Sequence, residues 1–163
     1  MQLTDDERHM RRALALADAA ADAGEVPVGA VLVCGRVVIE TRNEKESRAD
    51  ATAHAEMLAL QEASRRMGTW RLEEATLYVT KEPCVMCAGA LIAARIKRLV
   101  YGANDSKGGA DGGAFDILRS RETNHRIEVA AGVLQAETAA QLQRFFRRKR
   151  EECAAEGIEP AAP

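Results

Sequence analysis

The sequence predicts a single layered α/β domain, with helices packed on both faces of one β-sheet. Three observations carry this. Runs of β-branched residues alternate with segments of helical period, the pattern of strand–helix units built around a shared sheet. Glycine and proline punctuate the segment ends and leave mostly short connections. The 163-residue length fits one domain, and neither an internal repeat nor a linker divides it. The domain is expected over residues 1–153, followed by a flexible tail over 154–163.

The first helix opens at an S/T-x-x-E capping box, Thr4 with Glu7, and Leu3 lies just before the cap. Met10, Leu14, Ala17 and Ala21 then recur at helical spacing until Gly24 stops the run. Val28 to Cys34 and Val37 to Thr41 flank Gly35-Arg36, which predicts two strands joined by a tight turn. Residues 44–51 are polar and charged and read as a loop. A second helix is expected from His54 to Met67, stopped by Gly68, and a third strand from Thr76 to Lys81. Pro83 opens a third helix running to Ala94, because a proline in the first turn forfeits no hydrogen bond.

A fourth strand spans Lys97 to Ala103. The five glycines between Gly102 and Gly113 mark a loop, and a short helical turn is expected at Phe115 to Leu118. A fifth strand at Ile127 to Ala131 and a last helix from Glu137 to Glu152 complete the domain. Trp70 is expected to pack in the core or an interface, and His9 and His125 to be surface or structural residues.

Composition narrows the functional classes. The hydrophobic fraction of 47% is ordinary for a globular chain, and no apolar run approaches the ~18 residues that a membrane span needs. The polar, acidic opening MQLTDDERHM does not read as a secretory signal, so a cytoplasmic protein with no membrane partner is expected. In that compartment cysteines more often ligate metal or catalyse than form disulfides. A net charge of −2 excludes a uniformly basic coat, but Arg144, Arg147, Arg148, Lys149 and Arg150 crowd five cations into seven positions. Such a cluster suits the C-terminal end of a helix dipole. With Phe145 and Phe146 inside it, it also suits contact with nucleic acid, or a helix whose apolar face docks on the domain.

The chemistry is concentrated in His54-Ala55-Glu56 and, twenty-six residues further on, Pro83-Cys84-Val85-Met86-Cys87. Cys84 and Cys87 stand three apart on an expected helix, one turn from each other on one face, a spacing that suits two thiolates closing on one zinc. His54 is the natural third ligand, and two sulfurs with one imidazole favour zinc over magnesium or calcium. His54 and Glu56 lie about 200° apart around a regular helix, so both serve one site only if that site lies beyond the helix end. Pro83 places the cysteines in the same way. Two helix N-termini are therefore expected to converge on the metal. Their dipoles would stabilise thiolates and developing negative charge. Three protein ligands leave a fourth position open for water, the mark of a catalytic zinc, with Glu56 left over as proton shuttle. The competing structural reading is a closed site in which Cys34 or Cys153 supplies a fourth ligand, although neither has ligand-like spacing.

This H-x-E with P-C-x-x-C pairing is the known signature of the cytidine/deoxycytidylate deaminase superfamily, so the mechanism fits an existing pattern. The chain most closely resembles bacterial tRNA-specific adenosine deaminases over about residues 5–150. The resemblance is carried by EVPVGAV (Glu25 to Val31), Asn43, TAHAE (Thr52 to Glu56), ATLYVTKEPCVMCAGAL (Ala75 to Leu91), GANDSKGGADGG (Gly102 to Gly113), NHRIEV (Asn124 to Val129) and FFRRKR (Phe145 to Arg150). It implies a three-layer α-β-α fold around a mixed five-stranded sheet. It implies one zinc per subunit on His54, Cys84 and Cys87, and Glu56 as shuttle. Val28 and Asn43 become pocket residues for a flipped adenine, Asp105 a residue near the substrate backbone, and Phe145 and Arg147 contacts from the last helix. It further implies a homodimer acting on adenosine at the wobble position of the tRNA anticodon arm. Asn104 stands where relatives often carry a basic residue. The zinc motif alone leaves open deamination of a free base or nucleoside, such as guanine or cytidine, and a non-catalytic zinc-stabilised RNA-binding subunit.

Overall fold

The computed structural model describes residues 3–158. In chain order the elements are α1 (Asp5–Asp22), β1 (Gly29–Cys34), β2 (Val37–Arg42), α2 (Lys45–Arg48), α3 (Ala55–Met67), β3 (Thr76–Lys81), α4 (Val85–Ala93), β4 (Arg98–Ala103), β5 (Glu128–Ala131) and α5 (Gln135–Ala155). The sheet order is β2-β1-β3-β4-β5. β1 pairs antiparallel with β2 and β3, whereas β3–β4 and β4–β5 are parallel, so the sheet is mixed as the resemblance implies. No described helix is long and apolar enough to cross a membrane.

The inner strands β1, β3 and β4 read as near-continuous apolar runs because both faces are covered, whereas the edge strands β2 and β5 are partly exposed. Ala30, Leu32, Leu77, Val79, Leu99 and Tyr101 point into the core beneath α3 and α4, with Ala59, Leu60, Ala63, Ala88 and Leu91. The alternate residues Val31, Tyr78 and Val100 pack on the other face against Met10 and Ala13 of α1. The Thr4/Glu7 capping box forms as expected. The buried stripe of α1 is Met10, Ala13, Ala17 and Ala20, one position off the expected set at two of its four places. Helix α1 lies unusually close to the sheet. A Cβ built on Gly29 would stand 2.0 Å from the Ala13 carbonyl oxygen, so only glycine admits this approach.

Two expectations change and a third narrows. Residues 45–48 form the short helix α2 and not a loop, because the buried Glu25 carboxylate accepts the Glu46 and Ser47 N–H groups and supplies a cap from outside the segment. Phe115 to Leu118 form turns and not a helix: the Ile117 and Leu118 amides donate to the Ala110 carbonyl, a loop contact that replaces helical bonding. Of the two places expected for Trp70, the core is excluded: it is 56% exposed in the connection that follows α3, with the Arg71 guanidinium stacked 4.7 Å from its ring centroid. His9 and His125 are structural, the first beside Tyr78 and the second bonded through Nε2 to the Ile96 carbonyl. Helix α5 runs through Ala155, two residues into the expected tail, and residues 159–163 lie outside the described residues.

Candidate active site

His54 is the N-cap of α3 and Cys84 the N-cap of α4, both in extended conformation, and neither side chain caps its own helix. The two helix N-termini therefore converge as the sequence argument requires. The His54 Nδ1 atom lies 3.6 Å from the Cys84 Sγ and 3.5 Å from the Cys87 Sγ. All three donor atoms fall within 4.8 Å of one another. A tetrahedral ion bonded to nitrogen at ~2.0–2.1 Å and to sulfur at ~2.3 Å would separate those atoms by about 3.6 Å. The two nitrogen–sulfur distances thus fit a shared zinc. Cys34, buried at the end of β1, and Cys153, on α5, do not join the group.

Glu56 sits in the first turn of α3 and is 4% exposed. Its Oε2 atom is buried without a hydrogen-bond partner, an acceptor left open beside the metal-ligand set. Burial pushes its carboxyl above the ordinary value, opposed in part by a hydrogen bond from its own backbone N–H and by the charge of His54. The two cysteines split in opposite directions. A hydrogen bond from Cys87, with a further one from His54, brings Cys84 down to about 3. The same contact and burial push Cys87 up. His54 is raised, chiefly by its bond to Cys84. One thiolate is thus formed readily, and the second needs a cation to replace its proton.

Asn43 lies at the end of β2. Its side-chain oxygen accepts the Ala55 N–H at 2.9 Å, and its amide nitrogen donates to the Val26 carbonyl at 3.2 Å. It therefore supplies the cap that His54 does not. The Val28 carbonyl accepts the Asn43 backbone N–H at 3.0 Å, which brings the two expected pocket residues together at the buried mouth of β1.

Asp105 and Arg147 lie elsewhere, on a groove of 1170 Å³ between the glycine-rich loop and α5. Lys81, Lys107, Arg147, Lys149 and Arg150 line it against one carboxylate, Asp105, which Lys81 holds at 2.7 Å. Asp105 also forms an Asx turn with the Lys107 N–H. Phe145 is buried and faces the domain, and the ring turned to the groove is Phe146, 40% exposed. The groove lies beside the His/Cys/Cys group and not over it, linked through the Cys84–Gly109 bridge. Sequence reading passed over Lys81 and Glu82. Their adjacency to Pro83-Cys84 was the available signal.

Residues 4–150 match the MafB19-like deaminase family. The chain is 47% identical over 149 residues to the tRNA-specific adenosine deaminase of Bacillus subtilis, covering 91% of this chain and 92% of that one. It is 48% identical to the tRNA-specific adenosine deaminase of Haemophilus influenzae, over 90% and 86% of the two chains. Among solved structures, a tRNA deaminase of A-to-I editing at the wobble position superposes with a TM-score of 0.78 at 41% identity, covering 82% of this chain and 98% of that one. A guanine deaminase from Nitrosomonas europaea superposes at 0.73 with 27% identity, over 90% and 87%. With its convergent helix N-termini, its His/Cys/Cys set and its buried glutamate, the chain belongs to the tRNA-specific adenosine deaminases.

Proposed function

We propose that the protein hydrolyses the exocyclic amine of adenosine at the tRNA wobble position, giving inosine and ammonia, with one zinc held by His54, Cys84 and Cys87. The observation that carries this is the buried, unpartnered Glu56 oxygen beside three convergent metal-ligand atoms. Zinc, when bound, supplies Lewis-acid activation of water. The chain's own residues do the rest. Glu56 takes a proton from the attacking water at its open Oε2 and delivers it to the purine ring nitrogen; it then takes the proton of the hydroxyl added at C6 and delivers it to the amine, which leaves as ammonia while the C6 carbonyl forms. Burial raises its pKa, which favours its holding a proton between the two transfers. Asn43 holds the first turn of α3, and so keeps His54 and Glu56 in register with the cysteines.

Two features support RNA over a free base. The curated relatives named above are tRNA-specific, and the adjoining groove sets five cations against one paired carboxylate. An anticodon loop offers unstacked bases that a pocket accepts without melting a helix. A tRNA substrate places the protein in the cytoplasm, and we assign it the homodimeric state of the family pattern.

The test is inosine formation in an anticodon stem-loop with adenosine at the wobble position. Free adenosine, guanine and cytidine run beside it, with Glu56→Ala as control. Turnover of the stem-loop alone, abolished by the substitution with zinc retained, supports the reading. Turnover of guanine with silent RNA moves the substrate to free bases. Zinc-loaded protein that binds the stem-loop but is silent throughout is a binding subunit.

A further inference from the structure

Glu82 immediately precedes the Pro83-Cys84 ligand segment and is 3% exposed, yet it takes no part in the chemistry above. Its carboxylate is spent entirely on the glycine-rich loop. Oε2 accepts the Asp105 N–H at 2.8 Å. Oε1 accepts the Asp111 N–H at 2.8 Å and the Gly113 N–H at 3.1 Å. Three amides spread over nine positions thus converge on one side chain. The loop is built around that carboxylate: a Cβ on Gly109 would stand 2.3 Å from the Glu82 Cδ, and one on Gly113 2.9 Å from its oxygens.

The backbone on either side is tied to the same place. The Glu82 N–H donates to the Ala103 carbonyl at 2.8 Å, the Ala110 N–H donates to the Pro83 carbonyl at 2.9 Å, and Cys84 bridges Gly109. One end of this assembly is a zinc ligand. The other carries Asp105, Lys107 and Gly108, which form one wall of the basic groove, with Lys81 beside them.

We infer that Glu82 is a positioning residue which fixes the groove wall relative to the metal-ligand segment, and so sets how tightly the groove holds RNA. This rests on the RNA reading above. A buried carboxylate serving three N–H groups is a strong local organiser, because each donor deprived of it is left unsatisfied in a site closed to water. The geometry makes the two halves of the loop separable. In Glu82→Gln the amide oxygen keeps the Asp111 and Gly113 donors by taking the Oε1 place, while the NH₂ group faces the Asp105 N–H, donor against donor. Only the groove arm is released.

The experiment compares wild type with Glu82→Gln on the stem-loop substrate, and reads zinc content and amide hydrogen exchange on the RNA-free, zinc-loaded protein. The expected result is full zinc, kcat within about twofold, and KM raised roughly tenfold, the scale of one lost charge-assisted hydrogen bond. Exchange should accelerate at the Asp105 amide and stay slow at Asp111 and Gly113. Glu82→Ala should release all three amides. If Glu82→Ala fails to fold, the glutamine variant still decides. A fall in kcat at constant KM overturns the inference by placing Glu82 at the chemical centre. So does faster exchange at Asp105 with both constants unchanged. Wild type that ignores the stem-loop overturns the substrate, not the hub, because exchange is read without RNA. An Asp105 amide that stays protected in Glu82→Gln overturns the hub whatever the substrate.

Discussion

The side-chain oxygen of Asn43 caps the helix that His54 precedes, accepting the Ala55 N–H at 2.9 Å. A residue just past the end of an edge strand thereby fixes the entry angle of a metal ligand eleven positions away. Asn43→Ala should cost about 1 kcal/mol of stability, the usual scale for a lost cap. It should also weaken zinc binding by ~10–100-fold, as loss of a ligand's supporting contact does. Thermal melting and a competitive zinc titration check the two parts. Undiminished zinc affinity would show that His54 is held without Asn43.

Glu56→Gln should lower kcat by roughly 10²–10⁴-fold, the range of general acid–base catalysis, while zinc stays bound. The same substitution should stabilise the metal-free protein at neutral pH. The folded-state pKa of Glu56 is raised by burial, so its ionised form disfavours folding. That penalty is complete above the raised value and absent below the unfolded value of about 4.3. The stability gap between variant and wild type should therefore open as pH rises. Denaturant melts of metal-free protein across pH 4–8 read it, and a gap independent of pH sinks the assignment.

Arg98 of β4 donates to both oxygens of Asp6 in α1, at 2.7 and 2.8 Å. The guanidinium holds the Asp6 carboxyl below its usual range. The stabilisation is complete above the unfolded value of about 3.9 and is lost as pH falls through the lower folded value. Asp6→Asn should cost about 1 kcal/mol at neutral pH, because the pair is bidentate but partly exposed. The difference should vanish in strong acid. Urea denaturation at pH 7 and pH 2.5 measures both.

Gly29→Ala tests the close approach of α1 to the sheet. The added methyl meets backbone atoms of Ala13 and Ala17, at 2.0 and 2.7 Å, and no flexible side-chain tip can give way there. A loss of about 3 kcal/mol is expected, the upper end of ordinary overpacking. An equilibrium urea melt unchanged from wild type would mean that α1 is free to lift from β1.

Much of the site was legible because its constraints are local. The two-residue offset of His54 and Glu56, with proline before Cys84, left a shared position beyond two helix ends as the workable geometry, and both ligands prove to be N-caps. What escaped is set by long-range contact. Nothing near Glu82 announces that its carboxylate serves amides up to 31 positions away. Helix α2 was hidden because its cap comes from Glu25, not from its own residues. The expected contact from Phe145 was not decidable from sequence: one step around a helix is about 100°, enough to turn Phe145 inward and Phe146 outward.

His54 and Cys84 are 30 positions apart, at the N-termini of two different helices that lie against one another on the sheet. No short stretch of this chain can gather the three ligands by itself, as a zinc finger's hairpin and helix do. Contacts of such sequence separation carry a larger loop-closure cost than local ones. A filled site would therefore require α3, β3 and α4 to be assembled together, so zinc content in a purified preparation would report how many molecules have that part of the fold in place.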